Sequence, residues 1–127
     1  GARLHPRYDI VMQYYDIDHY LRQADLVITA EGGIDFQTPY GKIPAEVARR
    51  AKEYNVPVIA LAGTVGQGAR DNYAHGITAF TSVLPRPCTL EEAFTRAAEF
   101  TAACAENVMQ MVLAGMQLNR RLVVAGD

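Results

Sequence analysis

The chain has no tryptophan, only two cysteines and only three histidines in 127 residues. Cys88 and Cys104 match no metal-ligand spacing, and their scarcity points to a reducing compartment rather than a disulfide-built fold. His5, His19 and His75 are scattered, with no pair spaced to grip a metal from one face, so surface or locally hydrogen-bonded roles are expected. An excess of either charge is also missing. Twelve basic and fourteen acidic residues give a net charge of −2, which excludes the basic stripe of a nucleic-acid footprint. Arg49, Arg50 and Lys52 cluster, but acids interleave with them, so a solvated helix face is expected. No apolar run is long enough for a transmembrane helix, and the N-terminus does not read as a signal peptide. A cytoplasmic protein with no membrane or nucleic-acid partner is the expectation, and an opening on Gly1 rather than Met fits a processed or truncated chain.

Half the residues are apolar, and the length suits a single α/β domain, 1–127, able to bury a core without disulfides or a structural metal. Three short apolar runs, 25–30 (DLVITA), 57–62 (PVIALA) and 78–83 (TAFTSV), set the architecture. The first two are nearly continuous in Val, Ile, Leu and Ala, the pattern of strands buried on both faces of a parallel sheet. Between them, Ile43, Val47, Ala48 and Ala51 form a helical stripe, with Pro44 in the first turn and Asn55 as a stop. Residues 67–75 make a shorter helix closed by Gly76. Thr89 with Glu92 three residues on is a capping box, opening a long, Ala-rich helix from about 89 to 118. The tail 120–127 reads as a short strand or a disordered end. Near the N-terminus, apolar spacing predicts helix over 6–15, and Asp16 or Asp18 caps a second over 17–23. The order β-α-β-α-β implies parallel strands and right-handed crossovers, hence an α/β fold.

In an open parallel sheet, ligands bind outside the carboxyl ends of the strands. Three loops follow from that rule. The first, 31–42, holds Glu31, Asp35, Gln37, Thr38, Lys42 and the glycines 32, 33 and 41. Acids at such an edge can hold Mg²⁺ with water or take a proton from a substrate hydroxyl. Lys42 falls at an expected helix N-terminus, where backbone N–H groups already favour phosphate. These parts suit phosphoryl transfer, which needs positioning and charge neutralisation; a plain polar βα turn is the competing reading. The second loop, G-T-V-G-Q-G at 63–68, matches neither the dinucleotide fingerprint nor the P-loop. It is either a glycine-rich turn or a place where backbone N–H groups, Gly63 and Thr64 among them, touch phosphate. The third, 84–88, is stiffened by two prolines and reads as a stop between strand and helix. Cys88 has no neighbouring base in sequence, so no cysteine nucleophile is expected.

The stretch A-D-L-V-I-T-A-E-G-G-I-D-F-Q-T-P-Y-G-K-I-P-A-E-V-A-R-R-A, residues 24–51, resembles the type I glycerate kinase family, and the likeness continues through 57–66 and 74–94 and the helix beyond. The resemblance implies a flavodoxin-like, three-layer α/β/α sheet, present in part, within the C-terminal segment of a larger two-domain kinase. It implies ATP-dependent phosphorylation of glycerate, favouring the 2-position, with Mg²⁺. Residue by residue, it implies Asp35 and Lys42 as catalytic, Glu31 and Asp35 toward metal, and Glu31, Gly32, Gly33, Gln37, Thr38 and Gly41 toward substrate. Gly63 and Thr64 fall to phosphate.

Three positions depart from the family pattern: Ala30 and Glu46 stand where glycine is common, and Gly33 where arginine is. A glycine cannot replace an arginine fork. A non-catalytic assembly or binding module and another sugar-acid kinase are therefore the competing functions. A partial sheet exposes edges and apolar faces, so a homo-oligomer, or association with the rest of the kinase, is expected.

Overall fold

Strand β2, Val58–Val65, is the axis of the fold. In this computed structural model, which describes residues 15–40 and 43–126, it lies between β1 (Val27–Ile34) and β3 (Ala79–Ser82), both parallel to it. Its burial shows the central position: Val58, Ala60, Leu61 and Ala62 are all within 4% of full burial. Covering a valine completely stabilises the fold by about 1.5–3 kcal/mol. β1 was expected to be buried on both faces. It alternates instead, with Ile28 40% exposed, because among the described residues it is an edge strand with β2 on one side only.

Two helices pack with the sheet in the first of two compact units, which ends at Ser82. They are α1 (Ile17–Gln23) and α2 (Ile43–Glu53). Leu21 of α1, Ala48 and Ala51 of α2, and Val56 join Val58, Ala60 and Ala62 in one core cluster. The small alanines let α2 approach closely, as its stripe predicted. Asn55 ends α2 in the left-handed conformation, φ 57°, a position asparagine tolerates better than most residues.

Glu46 of α2 orients Arg50, the residue that ties the two helices together. Its carboxylate accepts from Arg49 Nε and Nη2 and from Arg50 Nε, while Arg50 Nη1 reaches Asp18 of α1 at 3.0 Å. The bonds from Arg49, and then that from Arg50, hold Glu46 below the usual carboxylate range against the opposing effect of burial. The expected solvated face is thus partly a helix–helix clasp, since the Arg50 side chain is only 22% exposed.

After β2 comes a 3-10 helix, Ala69–His75, flanked by Gly68 at φ 75° and Gly76 at φ 100°. Both need glycine. A Cβ on Gly76 would lie 2.3 Å from the Ala48 carbonyl oxygen, so the end of the 3-10 helix is laid directly on the α2 backbone. A cavity of about 550 Å³ opens at the amino-terminal edge of the sheet, lined by Lys52, Asn55, Val56, Pro57, Tyr73, Gly76, Ile77 and Thr78.

The second unit begins at Val83 and is helical. Thr89 caps α3 (Leu90–Thr95) as its sequence predicted, its hydroxyl accepting from Glu92 N–H at 3.1 Å. Glu92 does not reach back to complete the box; its carboxylate takes Arg86 and Arg96. The helical segment steps at Arg96 and resumes as α4, Ala97–Gly126, about 45 Å long. The tail is therefore neither strand nor disordered: residues 119–126 continue the helix, because nothing between Ala97 and Gly126 breaks it except Gly115, which a helix tolerates. No described helix is long and apolar enough to cross a membrane. The α/β class, the parallel sheet and the long C-terminal helix all stand. Most of the helix expected over 6–15 lies outside the described residues.

Candidate functional site at the carboxyl edge of the sheet

The strands run further than their apolar cores. β1 continues through Glu31, Gly32, Gly33 and Ile34, and β2 through Gly63, Thr64 and Val65. The first two loops therefore start at Asp35 and Gly66, not at residues 31 and 63. Register explains the difference. Glu31 pairs with Ala62, Gly33 with Thr64 and Ile34 with Val65, so the glycines extend the ladder instead of breaking it. A Cβ on Gly63 would stand 2.8 Å from the Gly32 carbonyl oxygen. Glycine here permits two neighbouring backbones to crowd together, a use that reads in sequence like a turn.

The strand ends carry polar groups side by side. Glu31 sits on β1, and one of its oxygens accepts from the Gly32 N–H at 3.1 Å. Thr64 on β2 donates to the Gly32 carbonyl at 3.5 Å, and Ser82 on β3 donates to the Gly63 carbonyl at 3.4 Å. Ser82 was not among the residues expected from sequence. It ends a short strand with no glycine or charge to mark it.

Asp35 opens the loop with a tight local network. Its Oδ1 accepts from Gln37 N–H at 2.8 Å, its own N–H donates to Thr38 Oγ1 at 2.9 Å, and its carbonyl accepts from Thr38 N–H at 3.2 Å. This is an Asx turn closed by a buried threonine, a turn asparagine and aspartate favour because the side chain imitates a backbone acceptor. Thr38 is 2% exposed, so its hydroxyl shapes the turn. Gln37 and Phe36 are exposed at the rim. Gly41 and Lys42 lie outside the described residues.

The second loop is sewn to the first. Phe36 N–H donates to the Gln67 carbonyl at 3.1 Å, and Gly66 N–H to the Ile34 carbonyl at 2.8 Å. A Cβ on Gly66 would meet Asp35 Cβ at 3.2 Å, and one on Gly68 would meet Phe36 Cβ at 2.6 Å. Gly66 and Gly68 thus make room for the Asp35 turn. From beneath, the buried Asn72 of the 3-10 helix donates from Nδ2 to the carbonyls of Asp35 and Ala69, each at 2.9 Å. Asn72 too was absent from the expected set; a lone asparagine inside R-D-N-Y carries no signal by itself.

The structure therefore brings Glu31, Gly32, Gly33, Asp35, Gln37, Thr38, Gly63 and Thr64 to one edge of the sheet. The third loop, 84–88, belongs to the second unit. There Arg86 pairs with Glu92 and Cys88 is a free thiol. Burial pushes the Cys104 thiol up.

The arrangement resembles known proteins. A family model described as the glycerate kinase family matches residues 1–113. Over 100 residues the chain is 45% identical to the glycerate kinase of Bacillus subtilis strain 168, taking in 79% of this chain and 26% of that protein. Over 117 residues it is 37% identical to the glycerate 2-kinase of Escherichia coli K12, 92% and 31% respectively. A solved structure of a protein described as a glycerate kinase 2, from Salmonella typhimurium LT2, matches with a TM-score of 0.63 at 44% identity, covering 86% of this chain and 27% of that one. The chain spans about a quarter to a third of the length of these relatives.

Proposed function

The chain belongs to the glycerate kinase family, and on that premise we propose that the protein carrying it transfers the γ-phosphoryl group of ATP to glycerate, at the 2-hydroxyl. The observation that carries this reading is the Asp35 turn. It stands at the carboxyl end of β1 and is held by hydrogen bonds from its own loop, the second loop and the 3-10 helix. A carboxylate so fixed can accept the hydroxyl proton as the oxygen attacks phosphorus, and pre-positioning supplies most of what phosphoryl transfer needs. In this reading Lys42 neutralises phosphate charge, and Glu31 and Gln37 orient the substrate. Gly32, Gly33 and Gly41, with Thr38 closing the turn, give it room and shape. Gly63 and Thr64 present the neighbouring strand end to phosphate.

Mg²⁺ fits this edge in one particular manner. Among the described residues no group of three or more His, Cys, Asp or Glu side chains forms a metal cage. Mg²⁺ on a nucleotide needs only one or two carboxylates beside water and phosphate oxygens, and Glu31 and Asp35 are the acids that would serve. The ion would neutralise phosphate charge. A cytoplasmic setting and self-association, or pairing with the rest of the kinase, belong to the same reading. The exposed Leu118, Leu122 and Val124 on α4 support the association.

Replacing Asp35 by Asn in the protein as encoded in full tests the assignment. ATP-dependent phosphorylation of glycerate is expected to fall by about a hundredfold or more in kcat/KM, with the melting temperature little changed. Turnover at the wild-type level would remove Asp35 from the chemistry. A second reading, a module that binds without catalysis, is favoured by position 33. Any Cβ there would meet Thr64 Oγ1 at 2.9 Å, so an arginine requires Thr64 to turn away. Calorimetry with glycerate and Mg·ATP separates the two: binding without turnover selects the module.

A further inference from the structure

Asn72 is the most deeply buried polar side chain among the described residues, 1% exposed, and its amide is half used. Both of its recorded hydrogen bonds leave from Nδ2, one to the Asp35 carbonyl thirty-seven residues away and one to the Ala69 carbonyl in its own helix. Two acceptors on one nitrogen fix the amide's orientation, because an oxygen in that place would face two carbonyls. The opposite atom, Oδ1, is buried with no hydrogen-bond partner. A buried acceptor left unpaired is a free-energy cost that an apolar side chain of the same shape would avoid. Among the described residues the fold accepts that cost in this one side chain, and there it secures the backbone of the residue assigned the central chemistry.

The contact is part of a three-point clamp. The 3-10 helix meets the Asp35 loop at its start, where Gly68 lies under Phe36. Asn72 holds Asp35 at the middle, and the His75 ring stands 6.3 Å from that of Tyr40 at the end. The helix itself is seated on α2 through Gly76. The Asn72 bond, together with the Thr38 N–H bond to the same carbonyl and the Phe36 N–H bond to Gln67, acts on the peptide unit that follows the Asp35 Cα, and so bears on the direction in which the carboxylate leaves the backbone.

We propose that Asn72 is a positioning residue of the phosphoryl-transfer site, holding the Asp35 carboxylate in its working direction through the Asp35 carbonyl. This rests on the reading of Asp35 as the proton-accepting acid, so one readout independent of activity is required. In the protein as encoded in full, Asn72→Ala is expected to speed hydrogen exchange at the Gln37, Thr38 and Tyr40 amides by about tenfold, leaving the β2 and β3 amides protected. Glycerate turnover is expected to fall about tenfold in kcat with KM for glycerate nearly unchanged. The double variant with Asp35→Asn is expected to be no slower than Asp35→Asn alone, because Asn72 acts only through that carboxylate. Asn72→Ser, which keeps one donor, is expected to fall between Asn72→Ala and wild type, and it serves if Asn72→Ala does not fold. Unchanged loop exchange, exchange raised equally across the whole sheet, or additive losses in the double variant would each overturn the proposal. If the wild-type protein phosphorylates no glycerate, the functional reading fails, and loop exchange alone decides whether Asn72 positions the turn.

Discussion

The sheet edge and the C-terminal helix are stabilised by opposite kinds of interaction. Around Asp35, the decisive contacts join residues far apart in sequence: Asn72 to Asp35, Phe36 to Gln67, Gly66 to Ile34. In residues 83–126 they are local. Thr89 caps the Glu92 N–H, Arg96 pairs with Glu92 and Glu99, and Arg86 reaches Glu92 six residues on. The first region has little tolerance for added atoms, since backbones touch. The second has room on nearly every side; only Phe100 and Val108 of α4 are buried. A substitution at the sheet edge is thus felt through tertiary strain, and one on the helix through intrinsic propensity.

The glycines offer the widest contrast. Gly76→Ala puts a methyl 2.3 Å from the Ala48 carbonyl oxygen on a residue at φ 100°. A loss of about 3 kcal/mol or more is expected, read as a large fall in the denaturation midpoint. A fall of less than about 1 kcal/mol would show that the 3-10 helix can lift from α2 at little cost.

Next in size is the clasp between α1 and α2. Glu46→Gln is expected to cost about 1 kcal/mol by chemical denaturation. Because Glu46 titrates below its ordinary 4.5 when folded, its stabilisation is whole above that pH and lost as pH falls through the lowered value. Wild type and Glu46→Gln should therefore converge in stability on acidification and differ at neutral pH. A constant difference across that range would show that the bonds, not the charge, matter.

Thr89→Ala removes the side-chain cap of α3 and is expected to cost about 1 kcal/mol, visible as lost helicity by circular dichroism. The smallest effect has the opposite sign. Nothing lies within 4 Å of a Cβ at Gly115, so Gly115→Ala is expected to stabilise α4 by about 0.5–1 kcal/mol. Were it to destabilise, α4 would have a close neighbour at that turn, and the contrast between the two regions would narrow.

Much of this was legible in the residues. The apolar runs marked the three strands of the described residues, Ile43 to Ala51 marked α2, and Thr89 with Glu92 marked the start of the helical region. What misled was glycine. Gly32, Gly33 and Gly63 look like loop residues, yet they lie in strands whose backbones crowd each other. Asp35 stood out by its charge beyond an apolar run, whereas Asn72 and Ser82 did not, because nothing near them in sequence reveals that they meet Asp35 and Gly63.

The sequence by itself determined the order of the elements, the parallel sense of the sheet and the loop that bears Asp35. Those follow from periodicity, capping and the C-terminal-edge rule, all of which act over a few residues. Only the tertiary structure decided where the strands end, that Arg50, held by Glu46, reaches across to Asp18 of α1, and that the 3-10 helix holds the Asp35 turn from below. These depend on which backbones come within 3 Å of one another, and that distance is set by the packing of Ala48, Ala51 and Ala62 in the core rather than by any local run of residues.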